Sequence, residues 1–150
     1  MVEFQKLTPL VDGELVLVLH ETIREGSHRQ WAPAYRFNML QRDSRALMGS
    51  IELRIANSPH IIKYAGHVGY NVFPKYRGNH YAARSCRLLF PLARQYELNP
   101  LWITCNPDNI ASRCSCEMIG GVLVEVVDLP ENNVMYLQGE RKKCRYRIDL

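Results

Sequence analysis

Short apolar or alternating runs fill the first half of the chain, and apolar positions at helical spacing occur only in the second half. Met1 to Gly13 reads as an extended lead-in ending at the turn signal Asp12-Gly13. Glu14 to Arg24 follows as a strong strand, wholly apolar from Leu15 to Leu19. Glu25 to Pro33 is polar and irregular, and Tyr35 to Leu40 alternates as a second strand. After the charged turn Gln41 to Arg45, Ala46 to Ile55 predicts a third strand. Met48, Ser50, Glu52 and Arg54 share one of its faces and Leu47, Ile51 and Leu53 belong largely to the other, with a break near Gly49. Asn57-Ser58-Pro59 ends it. Gly66 to Phe73 is the fourth strand, with His67, Gly69, Asn71 and Phe73 on one side and Val68, Tyr70 and Val72 on the other. The missing side chain at Gly69 predicts space beside that strand.

The period then changes to that of a helix over Tyr81 to Tyr96, where Ala82, Ser85, Cys86, Leu89 and Ala93 form a stripe. Pro91 falls inside the pattern and predicts a kink, or two separate halves. Leu101 to Cys105 is a short strand, parallel to the fourth if the helix is a crossover. Asn106-Pro107-Asp108-Asn109 supplies a turn and caps for a helix from Ile110 to Ile119, which Gly120-Gly121 stops. Val122 to Val127 is a further strand, Pro130 to Asn133 turns the chain, and Cys144 to Ile148 closes the sheet. Strands first, then β-α-β-α-β, predict an α/β-type mixed sheet.

Composition narrows the class. A chain of 150 residues, 47% hydrophobic and 23% charged, is expected to be one globular domain spanning 1–150. A net charge of +4 suits an anionic ligand but falls short of the basic stripe of a nucleic-acid binder. The run Arg141-Lys142-Lys143, with Arg145 and Arg147, reads as a solvated strand edge. Met1 to Leu10 lacks the apolar core of a signal peptide, and no apolar run approaches a membrane span. Five cysteines are an odd number for a disulfide framework, so a reducing cytoplasm is the expected setting. Cys114-x-Cys116 lacks a companion pair, and no metal is expected.

The most informative stretch is Gly66 to Ala82. A strand runs into Val72-Phe73-Pro74, and Arg77 to Ala82 then forms a strand-to-helix turn. The first amides of a helix have no intrahelical partner and sit at the positive end of its dipole, so such a turn favours phosphates. Gly78 removes the side chain that would obstruct a close approach.

The order Val72-x-Pro74-x-x-Arg77-Gly78-x-x-Tyr81-Ala82 resembles the acyl-CoA signature of the GNAT acetyltransferase superfamily. That family's loop reads Gln/Arg-x-x-Gly-x-Gly/Ala; here Lys75 is a mild departure, Gly78 matches, and His80 replaces a small residue. A second block, Asn109-x-Ala111-Ser112-x-x-x-x-Glu117-x-x-Gly120, is similar to a helix of the ribosomal-protein-acetylating branch. The fold this resemblance implies is a mostly antiparallel central sheet of about seven strands. Its fourth and fifth strands are splayed to admit the pantetheine arm, and helices flank it. Family members usually place two helices between the first and second strands to wall the acceptor site. The nine residues from Glu25 to Pro33 are too few for two helices at about 1.5 Å per residue, so the acceptor side is expected to be open or closed by a partner subunit.

The activity implied is acetyl transfer from acetyl-CoA, as co-substrate, to a primary amine by direct attack. Arg77, Gly78, Asn79, His80, Tyr81 and Ala82 would cradle the pyrophosphate, with charge from Arg77 or Lys75. Val72 would meet the pantetheine arm, and an amide near Asn71 or Val72 would steady the oxyanion. In relatives with the second block, the Asn contacts the pantetheine and the Ser can protonate the departing thiolate; these positions are Asn109 and Ser112. The plainer reading of that pair is an N-cap and a helix serine bonded to a backbone carbonyl. Cys116 stands where many members carry a Tyr acid. His67 stands where histone-type members carry a Glu base, with Glu52 on the neighbouring strand as its rival, Glu21 and His28 behind, and a water chain without a dedicated base left open. None of the five cysteines has a recognisable His partner for a covalent acyl route.

Two rivals stand beside this reading. One is a CoA-binding module without catalysis, and the other is a nucleotide- or RNA-associated domain using the same phosphate turn. The second lacks both Gly-x-x-x-x-Gly-Lys and Gly-x-Gly-x-x-Gly. The acceptor is left open among small amines, antibiotics, peptide N-termini and protein lysines, as are acyl length and a homodimer. Trp31 is a candidate acceptor or interface contact.

Overall fold

The computed structural model describes residues 2–24 and 32–150. Five antiparallel strands form the first sheet in sequence order: β1 (Leu10–Asp12), β2 (Leu15–Ile23), β3 (Ala34–Gln41), β4 (Leu47–Arg54) and β5 (Val68–Val72). Two helices follow, α1 (Tyr81–Leu88) and α2 (Phe90–Gln95). The second sheet comprises β6 (Leu101–Cys105), β7 (Val122–Asp128) and β8 (Lys142–Ile148), with α3 (Ile110–Met118) and the short α4 (Val134–Leu137) between them. Its order is β6-β8-β7. The architecture is the expected mostly antiparallel α/β fold, with eight strands among the described residues because β1 emerges from the lead-in. The reduced segment expected between the first two long strands, with His28 and Trp31, falls largely on 25–31, outside the described residues.

One hydrophobic core serves both sheets, running from Leu15, Phe37 and Ile51 through Cys86 and Leu89 to Ile103 and Tyr146. The alternation in β2 and β3 fills it as the pleat requires. β4 departs from the expected faces. Leu40 pairs with Leu47 and Met39 with Gly49, so Met48 is an extra residue in a bulge. The bulge turns Met48 into the core and leaves Leu47 44% exposed, the reverse of the expected assignment. Gly49 follows, where a Cβ would overlap the carbonyl oxygen of Asn71 on β5. Gly49→Ala is therefore expected to cost about 2 kcal/mol or more, read from urea denaturation midpoints.

Pro91 divides the long helical pattern. Leu89 ends α1, and Pro91 falls in the first turn of α2, where a missing N–H costs nothing. β8 lies in the centre of its sheet and β7 at the edge, which corrects the reading of the final basic stretch as a solvated edge. Opposite charges meet across that pairing: Lys142 lies 2.6 Å from Asp128 and Arg145 2.7 Å from Glu125, both acids on β7.

β5 and β6 belong to different sheets and do not pair, in keeping with the splayed pair expected at this point. They meet at His67, whose N–H donates to the Trp102 carbonyl at 2.7 Å. Beyond that contact the strands diverge into separate sheets. The turn before β2 ties down the helix after β5. Arg84 of α1 reaches Asp12 at 2.8 Å and Glu14 at 2.7 Å, and Tyr81 donates to Glu14 at 3.1 Å. Arg84 holds the Glu14 carboxyl down to about 2. These bonds fix the start of α1, where the loop from β5 arrives.

Candidate functional site

A cavity of about 500 Å³ opens beside the divergent strands, between the end of β5, the loop into α1 and one face of α3. The loop begins with a 3-10 turn over Pro74–Tyr76. Gly78 follows with φ +93° and open space where a side chain would be, and His80 caps α1 in the left-handed region at φ +60°. The His80 side chain makes no hydrogen bond to the helix, so the first amides of α1 have no side-chain acceptor. Gly78, His80, Tyr81 and Ala82 line the cavity at this end.

The other end is built by β5 and α3. Asn109 caps α3, its Oδ1 accepting from the Ser112 N–H at 3.1 Å. Ser112 is 7% exposed, and its Oγ lies 2.6 Å from the Tyr70 hydroxyl. Burial raises the Tyr70 phenol well above its ordinary value, so it stays neutral. The cavity thus joins uncapped amides to a shielded hydroxyl pair along a predominantly uncharged wall, and these features suit an anionic head on an uncharged arm.

Of the residues singled out in the sequence, Asn71, Val72, Arg77, Gly78, His80, Tyr81, Ala82, Asn109 and Ser112 line this cavity together. Arg77 bends back, its Nε donating to the Val72 carbonyl at 3.0 Å, and so clasps the end of β5. Asn79 does not line the cavity; its amide donates to the Tyr76 carbonyl at 3.1 Å and shapes the loop. Lys75 lies over the Tyr76 ring, 5.5 Å from its centroid.

The candidate bases lie elsewhere. His67 is fully buried and does not line the cavity. Its Nδ1 accepts from the Trp102 N–H and its Nε2 lies 2.9 Å from Asn57 Oδ1, so the ring bridges two elements. Burial lowers its pKa to about 4. Glu52 pairs with Arg54 at 3.2 Å and faces Gly69 across the ladder. The Arg54 guanidinium occupies the space beside Gly69 that was expected to be open; a Cβ there would lie 2.7 Å from it. Glu21 pairs with Arg36 at 3.6 Å. Cys116 is fully buried and off the cavity wall, and its hydrogen bond with Cys105, together with burial, raises its thiol well above the ordinary value.

Tyr70, Tyr76, Ala111, Cys114, Ser115 and Met118 also line the cavity. The signal for the α3 members is their helical spacing, which marks a second face beside the one that faces the core. Tyr70 shares a strand face with Val72. No group of three His, Cys, Asp or Glu side chains among the described residues could hold a metal ion, and no described helix is long and apolar enough to cross a membrane.

The family model described as an acetyltransferase (GNAT) domain matches residues 17–122. A sequence search among curated proteins gives no match. Among solved structures, RimL, a ribosomal alpha-N-protein acetyltransferase in complex with coenzyme A, superposes with a TM-score of 0.68 at 15% identity, over 95% of this chain and 98% of that one. A ribosomal-protein-alanine acetyltransferase from Vibrio fischeri superposes with a TM-score of 0.61 at 17% identity. That match covers 77% of this chain, which spans 61% of the Vibrio fischeri enzyme. The microcin self-immunity acetyltransferase MccE, in complex with acetyl-CoA and AMP, gives a TM-score of 0.59 at 16% identity over 78% of this chain and 61% of that one.

Proposed function

Because the chain belongs to the GNAT acetyltransferase family, we propose that it transfers an acetyl group from acetyl-CoA to a primary amine by direct attack. Acetyl-CoA supplies the activated acyl group as a thioester. Gly78 and the first amides of α1 hold its pyrophosphate, Asn71 and Val72 border its arm, and Ser112 meets the departing sulfur. The observation that carries this reading is the single cavity in which a left-handed glycine, an uncapped helix start and the Ser112 hydroxyl lie together. Calorimetric titration with acetyl-CoA, CoA and ATP tests it. Saturable acetyl-CoA binding that ATP does not match is the expected result; well-folded protein that ignores acetyl-CoA would overturn the reading.

Among the described residues no carboxylate lines the cavity, and His80, at the loop, is its single histidine. That observation favours one alternative, a module that binds CoA without turnover. It also shapes the expectation for an active enzyme: with no dedicated base, turnover rises with pH along the acceptor amine's own ionisation. An inflection near the ordinary histidine value of about 6.5, constant across amines of different basicity, would instead point to a histidine base. The first acceptors to test are peptides with free N-termini, because solved neighbours named for ribosomal proteins include an alpha-N-protein acetyltransferase. Protein lysines and small amines form the rest of the panel.

A further inference from the structure

The two cavity-lining serines of α3 are held differently. The Ser115 hydroxyl donates to the Ala111 carbonyl at 3.0 Å, the usual resting place of a helix serine. Ser112 instead has Tyr70 of β5 as its hydroxyl partner, across the space between the two sheets. The Tyr70 phenol needs an acceptor where it is shielded from water, and Ser112 Oγ at 2.6 Å is a far better one than the nearby Cys116 sulfur. A hydroxyl oxygen that accepts from one side must send its own proton another way: into the cavity, or toward the sulfur of Cys105, a weak acceptor also within reach. The Ser112 N–H is already committed to Asn109, which locks the serine backbone in place.

We propose that Tyr70 is a positioning residue: by donating its phenolic proton to Ser112 Oγ, it turns the serine's proton into the cavity, toward the thioester sulfur of acetyl-CoA. This rests on the acetyl-CoA reading above. Ser112 hands its proton to the sulfur as the carbon–sulfur bond breaks and that bond's electron pair moves to sulfur. The amine, forming the new carbon–nitrogen bond, releases one proton to solvent, and solvent reprotonates Ser112, so no outside acid is consumed. Cys116, at the position where relatives carry a tyrosine acid, is fully buried and off the cavity wall. Tyr70 brings a phenol to the same neighbourhood from the opposite wall.

The test is the ionisation of CoA bound to the whole protein, followed by ultraviolet absorbance of the thiolate. A serine proton aimed at the sulfur stabilises the thiolate, so the bound thiol should titrate about one pH unit below free CoA. Tyr70→Phe and Ser112→Ala should each bring it back toward the free value, and the double variant should go no further than Ser112→Ala alone. Affinity for desulfo-CoA should stay unchanged in all three. A Tyr70→Phe protein that titrates like the wild type, or shifts that add in the double variant, overturns the proposal. Should Tyr70→Phe fold poorly, an unaltered thiol titration in Ser112→Ala still overturns the proposal. If the wild type binds neither CoA nor desulfo-CoA, the acetyl-CoA reading fails, and this inference fails with it.

Discussion

Gly78→Asp is expected to weaken acetyl-CoA binding by roughly a thousandfold while leaving the protein folded. Nothing in the protein lies within 4 Å of a Cβ at this position, so the side chain meets no neighbour. A residue with a side chain at φ +93° costs about 1 kcal/mol, which a folded domain tolerates. The larger effect is electrostatic. A carboxylate about 4 Å from one phosphate charge opposes it by about 4 kcal/mol at an intermediate dielectric, and each 1.4 kcal/mol is about tenfold in affinity. Gly78→Ala carries the strain without the charge and should lose about tenfold or less. Calorimetry on the two variants separates the terms; equal losses would place the effect in the backbone and remove the pyrophosphate from this loop.

Acid should destabilise the protein through His67 before its carboxylates titrate. Above the ordinary histidine value of about 6.5, the ring is neutral in both folded and unfolded chains, and its two hydrogen bonds contribute in full. As pH falls, the unfolded chain takes up a proton that the folded chain refuses until about pH 4, because burial opposes the charge and Arg54 repels it. The stability lost across that window is about 3 kcal/mol. His60 is shifted in the same direction by burial, so the comparison that isolates His67 is with His67→Gln. That variant should be less stable at pH 7, yet show a flatter decline between pH 6.5 and 4 in urea midpoints. Parallel curves for the two proteins would rule His67 out as the titrating group. Glu14 acts lower still: its depressed carboxyl contributes above about pH 4.5 and loses that contribution as pH falls toward about 2.

Strand and helix order were legible in the chain because burial and period coincide there. Leu15 to Leu19, Phe37 and Ile51 alternate or cluster as their places in the core demand. The failures have one common form, in which a partner distant in sequence decides a local matter. Met48 and Leu47 exchange faces because β3 offers one residue fewer than β4 at the bulge. Gly69 opens no channel because Arg54 fills the space. Pro91 could signal a kink or a break, and Leu89 settled it as a break. At the site, the glycine turn and the Asn109–Ser112 cap could be read because each is local. His67 could not be placed by inspection, since one face of a strand admits both a cavity base and a buried bridge; Asn57 and Trp102, brought in by other elements, make it the bridge. Tyr70 was assigned only a face, and nothing adjacent in sequence announces its partner 42 residues away.

Among the described residues no strand is exchanged between the two sheets: β1 to β5 build the first, and β6 to β8 build the second. The cavity wall draws on both stretches, with Tyr70 to Val72 from one, Asn109 to Met118 from the other, and the loop and α1 between them. A molecule gripped by both walls is therefore a cross-link between the earlier and later halves of the polypeptide. Its affinity adds to their cohesion, by about 2.7 kcal/mol at a hundred times its dissociation constant. An empty protein and an occupied one would then melt at different temperatures, and cofactor supply would govern how long each copy survives as well as how fast it works.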